Sequence, residues 1–433
     1  MQKRRIVVVG GGFGGVYCAK HLSERLKHHK EWEVVLLSMD SYLLFYPLLI
    51  KVAVGEVEPR HASIYLRGYL KYVKVVLGKF TDLVATRSEI CYQPHLQDNV
   101  LSLNYDHLVF ALGSGSDVPN IPGLKEKVRL MQSIDDAVKS RRLLLDRLEE
   151  AESLGLYDRR DLQRKLLSFA VIGGGYTGIE LASDLKEFLN EVTKNYPSID
   201  KEDASVHLIE MTNQLLPGQG EKLAKVVARR LQQQGVEIHL GEAVKKVQAS
   251  YIQLESGKSF LADTIYWCGG VTPPDVLKDL PLPKSDKGMI LTTPYLNVAG
   301  HRNIWAIGDC AANVSPDGKL LPPTAQIANK LARHLVRNIL NAIKDKPWLA
   351  SRVKSSGMMI PLGQRFAAIK MGRFVFKGKM PWYLWCIYHS LKIPQFSHKL
   401  KISFELLIDS LFGRNVGDPG LRQKSKSKEN RVA

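Results

Sequence analysis

A glycine-rich loop occurs twice in this chain, each time between an apolar strand pattern and a helix pattern. The copies read IVVVGGGFGGVYCAKHL and FAVIGGGYTGIELASDL and lie about 160 residues apart. Both have the spacing G-x-G-x-x-G, at Gly10, Gly12 and Gly15 and at Gly173, Gly175 and Gly178. In such a loop the first glycine lets the turn close, the second lets a pyrophosphate approach, and the third lets the helix pack on the strand. The repeat predicts an α/β chain with two Rossmann-like dinucleotide-binding domains.

The end of the strand that follows each loop is expected to bind an adenosine ribose. After the second loop, SVHLIEM places Glu210 there. A carboxylate at this point binds the ribose hydroxyls and repels a 2′-phosphate, so NADH is favoured over NADPH. After the first loop the same point holds Ser38, with Asp40 two residues later. Either side chain could hold the first ribose, and a solvated loop carboxylate remains an alternative for Asp40.

Three further glycine turns follow apolar strand patterns and are candidates for cofactor contacts. They are Ala111 and Gly113 in YDHLVFALGS, Gly269 and Gly270 in YWCGGV, and Gly308 and Asp309 in IWAIGDCA. The first two could be the crossovers out of the two nucleotide domains, and the Asp309 carboxylate could reach the ribityl chain of a flavin. An ordinary glycine turn is the alternative for each of them.

Cysteine spacing and charge limit the class of protein. The five cysteines show no close pair, which argues against a zinc ribbon, an iron–sulfur site or a CxxC disulfide, and favours a reducing intracellular environment. The net charge is +18, and residues 331–433 hold 20 Lys and Arg against 5 Asp and Glu. A localised basic region predicts contact with an anionic surface. No nucleic-acid motif is recognisable, so an anionic lipid surface is favoured and no nucleic acid is expected.

The basic C-terminal part contains two apolar segments, PWYLWCIYHSLKI and SHKLKISFELLIDSLFGR. Aromatic side chains beside Lys suit the headgroup level of a membrane, and those of the first segment are Trp382, Tyr383, Trp385 and Tyr388. We therefore expect amphipathic helices that lie on a membrane surface. Packing against the protein core or a second subunit is the alternative. The stretch LRQKSKSKENRVA is predicted to be disordered, and no segment is apolar and long enough to be expected to cross a membrane.

The motifs GGGFGG, DSYLLFYPLL, YDHLVFALGS, GGGYTGIELA, YWCGGVTPP, IWAIGDCA and PPTAQIA resemble, in their order, those of type II NADH dehydrogenases. These are FAD-containing NADH:quinone oxidoreductases that do not pump protons, within the glutathione-reductase-like flavoproteins. The resemblance extends from about residue 4 to about residue 335. It implies FAD and NADH as cofactors, with hydride transfer from NADH to the flavin and then delivery of two electrons to a membrane quinone.

The resemblance also implies roles for individual residues. The residues at FAD would be Gly10, Gly12, Phe13, Gly14, Gly15, Ser38, Asp40, Pro47, Ala111, Gly113, Gly308, Asp309, Ala325 and Gln326. The residues at NADH would be Gly173, Gly175, Tyr176, Thr177, Gly178, Glu180, Glu210, Gly269 and Gly270. No metal site is expected.

Two residues would be catalytic by this resemblance. Glu180 would lie where nicotinamide meets the flavin ring, and Gln326 would lie on the quinone-facing side of that ring. A first-turn carboxylate favoured by the helix dipole is the alternative for Glu180, and a bond to nearby backbone is the alternative for Gln326. The quinone motif departs from the family pattern A-Q-x-A-x-Q, because Lys330 replaces the second Gln. Its ammonium could still donate to a quinone carbonyl, or the acceptor could be different.

These expectations define a domain plan. Residues 1–115 and 286–340 would form a discontinuous FAD domain, residues 116–285 the NADH domain, and residues 341–433 a C-terminal region on the membrane surface. The protein would lie peripherally on the cytoplasmic side of a membrane, and a homodimer is possible. The alternatives are a soluble flavoprotein reductase with a protein acceptor, a sulfide:quinone oxidoreductase, which would need paired cysteines, and a non-catalytic FAD/NADH redox sensor.

Overall fold

Each glycine loop opens a unit in which helices pack on a parallel sheet. The structure is a computed structural model and describes residues 3–355, 357–393 and 395–412. The stretch that the sequence predicts to be disordered, LRQKSKSKENRVA, lies outside these residues.

Strands and helices alternate along most of the described chain. The first part contains β1 (Arg4–Val9), α1 (Phe13–Leu26), β2 (Trp32–Ser38), β3 (Tyr42–Leu44), α2 (Leu49–Ala53), β4 (Ser63–Tyr65), α3 (Leu66–Tyr69), β5 (Lys74–Val84), β6 (Glu89–Pro94), β7 (Leu101–Asn104), β8 (His107–Phe110) and β9 (Gly115–Ser116). The second part contains β10 (Val128–Arg129), α4 (Ile134–Leu156), α5 (Arg160–Leu166), β11 (Ser168–Ile172), α6 (Tyr176–Val192), β12 (Ser205–Glu210), α7 (Glu221–Gln234), β13 (Val236–Leu240), β14 (Val244–Gln248), β15 (Tyr251–Leu254), β16 (Ser259–Leu261), β17 (Thr264–Trp267) and β18 (Val271–Thr272). The remainder contains β19 (Ile290–Leu291), β20 (Ile304–Ala306), β21 (Ala311–Ala312), α8 (Ala325–Ile343), β22 (Met358–Pro361), β23 (Ala367–Met371), β24 (Phe374–Gly378), α9 (Lys379–Lys392) and α10 (Phe396–Phe412).

The first sheet has the strand order β20-β8-β1-β2-β5-β6-β7. Its strands from β20 to β5 are parallel, and β6 and β7 extend it as an antiparallel hairpin. The central strands carry runs of Val, Ile and Leu because both faces of a parallel sheet are covered. Strand β20 comes from far along the chain, so the first unit is completed only after the chain has returned from the second.

The second sheet has the order β10-β17-β11-β12-β13, and its strands are all parallel. An antiparallel meander, β14-β15-β16, packs beside it. Two Rossmann-like units in an α/β chain were predicted, and this fold class is confirmed. The residue limits assigned to the domains stay a prediction.

The C-terminal region consists of the antiparallel sheet β22-β23-β24 followed by α9 and α10. The expectation that its tryptophans face lipid headgroups is wrong for Trp382 and Trp385, which are only 4% and 1% exposed. Trp385 belongs to the core cluster of the second unit, together with Ile393, Ile402 and Leu406. The indole side of α9 therefore packs on the protein, because large rings bury more apolar surface there than an aliphatic side chain would.

A buried ionic cluster joins the two units. Lys51 on α2 is 1% exposed, and its Nζ lies 2.9 Å from Asp184 Oδ2 on α6 and 3.0 Å from Glu56 Oε2. Burial lowers the pKa of Lys51, but the carboxylates of Asp184, Glu56 and Glu180 together raise it above its usual value. We call Lys51, Glu56, Glu180 and Asp184 the Lys51 cluster.

Replacing the central cation should destabilise the protein. We expect Lys51→Met to cost about 3–5 kcal/mol, because it leaves buried carboxylates without their counter-charge. The denaturation midpoint of the purified holoenzyme measures this. The matched control is Lys139→Met, which removes an exposed ammonium paired with Asp135 and should leave the midpoint unchanged. A Lys51→Met midpoint equal to that of the control would contradict the assigned role of the cluster.

Candidate nucleotide and electron-transfer site

The first glycine loop fits a dinucleotide pyrophosphate. Gly10 has φ +121°, and a Cβ there would lie 2.1 Å from the carbonyl oxygen of Ala111. A Cβ on Gly15 would lie 1.9 Å from the carbonyl oxygen of Gly10, so α1 can approach β1 only without that side chain. At Gly12, by contrast, a Cβ would meet no heavy atom of the described residues within 4 Å. The open side of the loop faces the N-terminus of α1, where backbone N–H groups can bind phosphate oxygens.

The second loop repeats this arrangement. Gly173 has φ +115°, and its Cβ would lie 2.6 Å from the carbonyl carbon of Cys268. A Cβ on Gly178 would lie 1.9 Å from the carbonyl oxygen of Gly173, and one on Gly175 would meet no described heavy atom within 4 Å. The helix that follows begins at Tyr176, just as α1 begins at Phe13. Both loops are therefore open at their second glycine.

Backbone hydrogen bonds make Ser38 and Glu210 equivalent positions. The Gly10 N–H donates to the carbonyl of the residue before Ser38 at 2.9 Å. The Gly173 N–H donates in the same way to the carbonyl of the residue before Glu210 at 2.8 Å. Ser38 is buried, and its Oγ donates to the backbone carbonyl of Asp40 at 2.7 Å. Asp40 itself is exposed. The hydroxyl hydrogen of Ser38 is used within the loop, so Ser38 could only accept from a ribose hydroxyl, and which of Ser38 and Asp40 holds the ribose stays a prediction.

Glu210 is held in a single orientation by donors on both of its oxygens. Oε2 accepts from the Gly174 N–H at 2.6 Å, and Oε1 accepts from the N–H and the hydroxyl of Thr212, each at 2.8 Å. Oε2 accepts only one of these hydrogen bonds, so it has a further lone pair available for a ribose hydroxyl. A carboxylate here would oppose a 2′-phosphate, and this role of Glu210 stays a prediction.

The predicted flavin-side residues converge near Asp309. Its Oδ2 accepts a hydrogen bond from the Ser114 hydroxyl at 3.1 Å, one residue beyond Gly113. Burial raises the pKa of Asp309, and the Ser114 hydrogen bond lowers it. Burial also raises the pKa of Tyr46, which precedes Pro47, and the Asp309 carboxylate raises it further. Sequence reasoning missed Ser114 and Tyr46, although each is adjacent to a predicted residue.

The two predicted crossovers lie side by side. Strand β18 follows Gly270, which has φ +47°, and it pairs antiparallel with β9, which follows Gly113. A Cβ on Gly269 would lie 2.9 Å from the Trp267 ring. Glycine at these turns therefore allows the chain to leave one unit and enter the other in a narrow space.

Glu180 is a buried carboxyl group on α6. It is 3% exposed, and among the described residues its Oε1 has no hydrogen-bond partner. Burial raises its pKa well above the usual value, Asp184 and Glu56 raise it further, and Lys51 lowers it. Three carboxyls share one ammonium in the Lys51 cluster, which favours the protonated form of Glu180 over the ionised form. A neutral carboxylic acid can donate a proton or a hydrogen bond.

Gln326 contacts the C-terminal region and not the nearby backbone. Helix α8 begins at Ala325 and is capped by Thr324, whose hydroxyl accepts from the Ile327 N–H at 3.3 Å. Burial raises the pKa of the Tyr388 hydroxyl on α9, and the Gln326 side chain beside it lowers that pKa. The Nζ of Lys330 donates to the backbone carbonyl of Lys354 at 3.1 Å, so this ammonium is anchored on the same region. A quinone contact for Lys330 stays a prediction.

Aromatic rings connect the first loop with α9. The ring centroids of Phe13 and Phe45 are 5.7 Å apart, those of Phe45 and His389 are 6.5 Å apart, and those of His389 and Trp385 are 4.4 Å apart. Burial lowers the pKa of His389 to about 4, so the imidazole is neutral at pH 7. Helix α9 therefore forms part of the wall of the site. Nothing in the sequence spacing indicated this contact, because its partners are more than 300 residues apart.

The cysteines are not arranged for disulfide chemistry. All five are free in the described chain. Burial raises the pKa of Cys268, Cys310 and Cys386 to about 12 and that of Cys18 still higher. Thiols are poor nucleophiles in this state, because the thiolate is the reactive form. Electrons that arrive at a bound flavin would therefore pass to an external acceptor.

Neutralising Glu210 should weaken discrimination between the two nicotinamide nucleotides. We expect Glu210→Gln to raise the KM for NADH by about tenfold or more, because a hydrogen bond to a charged group is worth about 1.5–3 kcal/mol. The KM for NADPH should fall, because the charge that repels its 2′-phosphate is gone. Steady-state kinetics with both nucleotides measure the ratio of the two KM values. Glu242→Gln changes a nearby carboxylate paired with Lys258 and should leave that ratio unchanged. An unaltered KM ratio in Glu210→Gln would refute the assignment.

Comparison with known proteins agrees with this geometry. The model of the pyridine nucleotide-disulphide oxidoreductase family matches residues 4–332. A type II NADH:quinone oxidoreductase of Haemophilus influenzae is 26% identical, over 94% of this chain and 97% of the relative. The type II NADH:quinone oxidoreductase Ndh of Mycobacterium tuberculosis is 28% identical, over 92% of this chain and 86% of the relative.

The fold also matches a solved structure, NDH2 from Plasmodium falciparum in complex with NADH. The TM-score is 0.85 at 20% identity, and the match covers 96% of this chain and all of the other. The expectation of FAD and a pyridine nucleotide is consistent with these matches. The chain belongs to the pyridine nucleotide-disulphide oxidoreductase family, and the resemblance to type II NADH:quinone oxidoreductases that its motifs predict is confirmed.

Proposed function

We propose that this protein is an FAD-dependent NADH:quinone oxidoreductase that does not pump protons. The observation that carries the proposal is the repeated loop geometry, with one open glycine over a helix N-terminus in each of two joined units. The relatives from Haemophilus influenzae and Mycobacterium tuberculosis carry this activity in their names and align over most of this chain. The raised thiol pKa values argue against a disulfide as the next electron carrier.

The first loop, with Asp40 and Asp309, would hold FAD, and the second loop, with Glu210, would hold NADH. When bound, these groups supply hydride transfer and two-electron chemistry. The protein has to supply proximity and orientation, which by themselves lower the barrier for such a transfer. The absence of an acid–base triad among the predicted residues is therefore no objection.

Reduction of a quinone consumes two protons as well as two electrons. Burial raises the pKa of Glu180 and so favours its protonated form, which suits the role of a proton donor. Gln326 has no proton to give but can orient a carbonyl through its amide, and the Tyr388 hydroxyl lies beside that amide. We assign Gln326 to quinone positioning and Glu180 to proton supply.

The C-terminal helices would place this site at a membrane. Exposed apolar side chains follow one face of α9 and one face of α10. We call these side chains together the apolar stripe: Met380, Tyr383, Leu384, Ile387, Leu391, Leu400, Phe404 and Ile408. Residues 331–412 carry 14 Lys and Arg against 3 Asp and Glu. Apolar contact combined with positive charge is the pattern of a helix that lies on anionic lipid. The cytoplasmic leaflet carries such lipid, which supports a peripheral position on that side.

A second observation concerns helices that could cross the membrane. Among the described residues, no helix combines the length and apolar character needed to cross a bilayer.

The homodimer that the sequence allows stays a prediction.

Rapid mixing of the holoenzyme under anaerobic conditions tests the function. NADH should bleach the flavin absorbance, and a short-chain quinone should restore it. In Glu180→Gln, bleaching should persist while recovery slows by about tenfold or more, because general acid catalysis is typically worth 10²- to 10⁴-fold. Bleaching without recovery in the wild type would instead indicate a protein acceptor or a redox sensor.

The pH dependence of the recovery rate tests whether Glu180 is the proton donor. Since its pKa is raised, the donor form persists to higher pH than in an ordinary carboxyl group and is lost as the pH rises through that raised pKa. Recovery should therefore slow as the pH rises through this range in the wild type and be flat over the same range in Glu180→Gln. Glu191→Gln, on the same helix, is the control and should behave like the wild type. A Glu180→Gln profile that still falls would exclude Glu180 as the donor.

The apolar stripe can be tested apart from the chemistry. We expect Leu384→Ser with Ile387→Ser to abolish most co-sedimentation with vesicles of anionic phospholipid, while reduction of a water-soluble short-chain quinone is kept. Leu96→Ser with Leu156→Ser, at similarly exposed apolar positions elsewhere, is the matched control. Binding should also weaken with added salt, because the basic residues contribute electrostatically. Equal sedimentation of both double variants would count against this surface.

A further inference from the structure

Three side chains with metal-binding atoms meet on the outer part of the second sheet. His207 lies on β12, and Glu237 and His239 lie on the neighbouring strand β13. In the parallel register His207 is opposite Glu237, and Ile209 is opposite His239. Residues two apart on a strand share a face, and register partners do so as well, so the three side chains project to the same side. Strand β13 is the edge of this sheet.

Their separations are those of ligands to one ion. His207 Nδ1 lies 3.2 Å from His239 Nε2 and 3.5 Å from Glu237 Oε2. The three ligand atoms all lie within 4.8 Å of one another. In a tetrahedral site with metal–nitrogen bonds of about 2.0–2.1 Å, neighbouring ligand atoms are about 3.3 Å apart. A single hydrogen bond between the imidazoles would explain the shorter distance but not the approach of the carboxylate to the same nitrogen.

Packing holds both imidazoles in place. The ring of Phe260 stacks on His207 at 4.1 Å and on His239 at 4.7 Å between centroids. His207 is buried as well, so its ring cannot easily turn away from its two neighbours. A metal binds the neutral imidazole, whose nitrogen has a free lone pair.

We propose that His207, Glu237 and His239 bind a zinc ion at the edge of the second sheet. Two nitrogens and one carboxylate oxygen are a ligand set that zinc accepts, with water in the remaining tetrahedral position. The ion would join β12 to the edge strand β13. Glu237 is 60% exposed in its side chain, so the ion can enter from solvent.

This site is separate from the proposed redox chemistry. Glu210 lies three residues beyond His207 on β12, roughly 10 Å away at the rise of a strand. None of the three ligands belongs to the nucleotide-binding residues. The zinc site can therefore be right or wrong independently of the quinone reductase activity.

Calorimetric titration of chelator-treated holoenzyme with zinc tests the proposal. The wild type should bind one equivalent and show a higher thermal midpoint with zinc than without it. Glu237→Gln and His239→Asn should each bind zinc at least about tenfold more weakly, because even the loss of a supporting contact to a ligand costs that much. The matched control is His29→Asn, since His29 forms an exposed pair with Glu31 at 3.0 Å outside this cluster. It should bind like the wild type.

Cobalt(II) provides a second readout, because a tetrahedral nitrogen and oxygen site gives it intense visible absorption. This absorption should appear in the wild type and in His29→Asn and be lost in His239→Asn. If His239→Asn does not fold, the exposed Glu237→Gln decides, since its side chain carries little packing. The proposal is overturned if the wild type binds no zinc, or if both ligand variants bind it as tightly as the wild type. NADH oxidation should be the same in all variants.

Discussion

In each half of this molecule, a helix reaches its strand only because one residue lacks a side chain. A Cβ on Gly15 or on Gly178 would lie 1.9 Å from a carbonyl oxygen of the same loop, far inside van der Waals contact. That approach positions the N-termini of α1 and α6, and these in turn determine where a pyrophosphate can bind. The strand ends with Ser38 and Glu210, and the crossovers near Ala111 and Cys268, pack around the same loops.

The Lys51 cluster connects domain packing with chemistry. A single buried ammonium lies among three carboxyls, and full ionisation of all of them would leave uncompensated negative charge in a low-dielectric environment. Asp184 and Glu56 form ion pairs with Lys51. Burial raises the pKa of Glu180 most, Asp184 and Glu56 raise it further and Lys51 lowers it, so the residues that hold α2 of the first unit against α6 of the second also shift the pKa of the proposed proton donor.

Helix α9 has an inner face that packs on the site and an outer face that is exposed. Its inner face places Trp385 and His389 against the aromatic residues near the first loop, and Tyr388 against Gln326. Its outer face carries the α9 part of the apolar stripe. The wall of the site and the surface proposed to meet lipid therefore belong to one helix, which would give a lipid-soluble acceptor a short route to the flavin side.

The sequence by itself determined the two nucleotide loops, the strands that flank them and the acidic residue at Glu210. These are local patterns, in which strand, turn and helix follow each other within about twenty residues and each glycine has a steric reason. It also identified Asp309 and Gln326 as site candidates, through their position after a strand or at a helix start.

Only the tertiary structure decided which partners those residues have. The Tyr388 contact of Gln326, the Ser114 bond to Asp309 and the burial of Trp382 and Trp385 join segments that are distant in sequence, and no periodicity encodes such pairs. The Lys51 cluster and the histidines of β12 and β13 likewise exist only after two units or two strands have packed together. Protonation states follow the same rule, because burial and neighbouring charges set them, and both are properties of the folded chain.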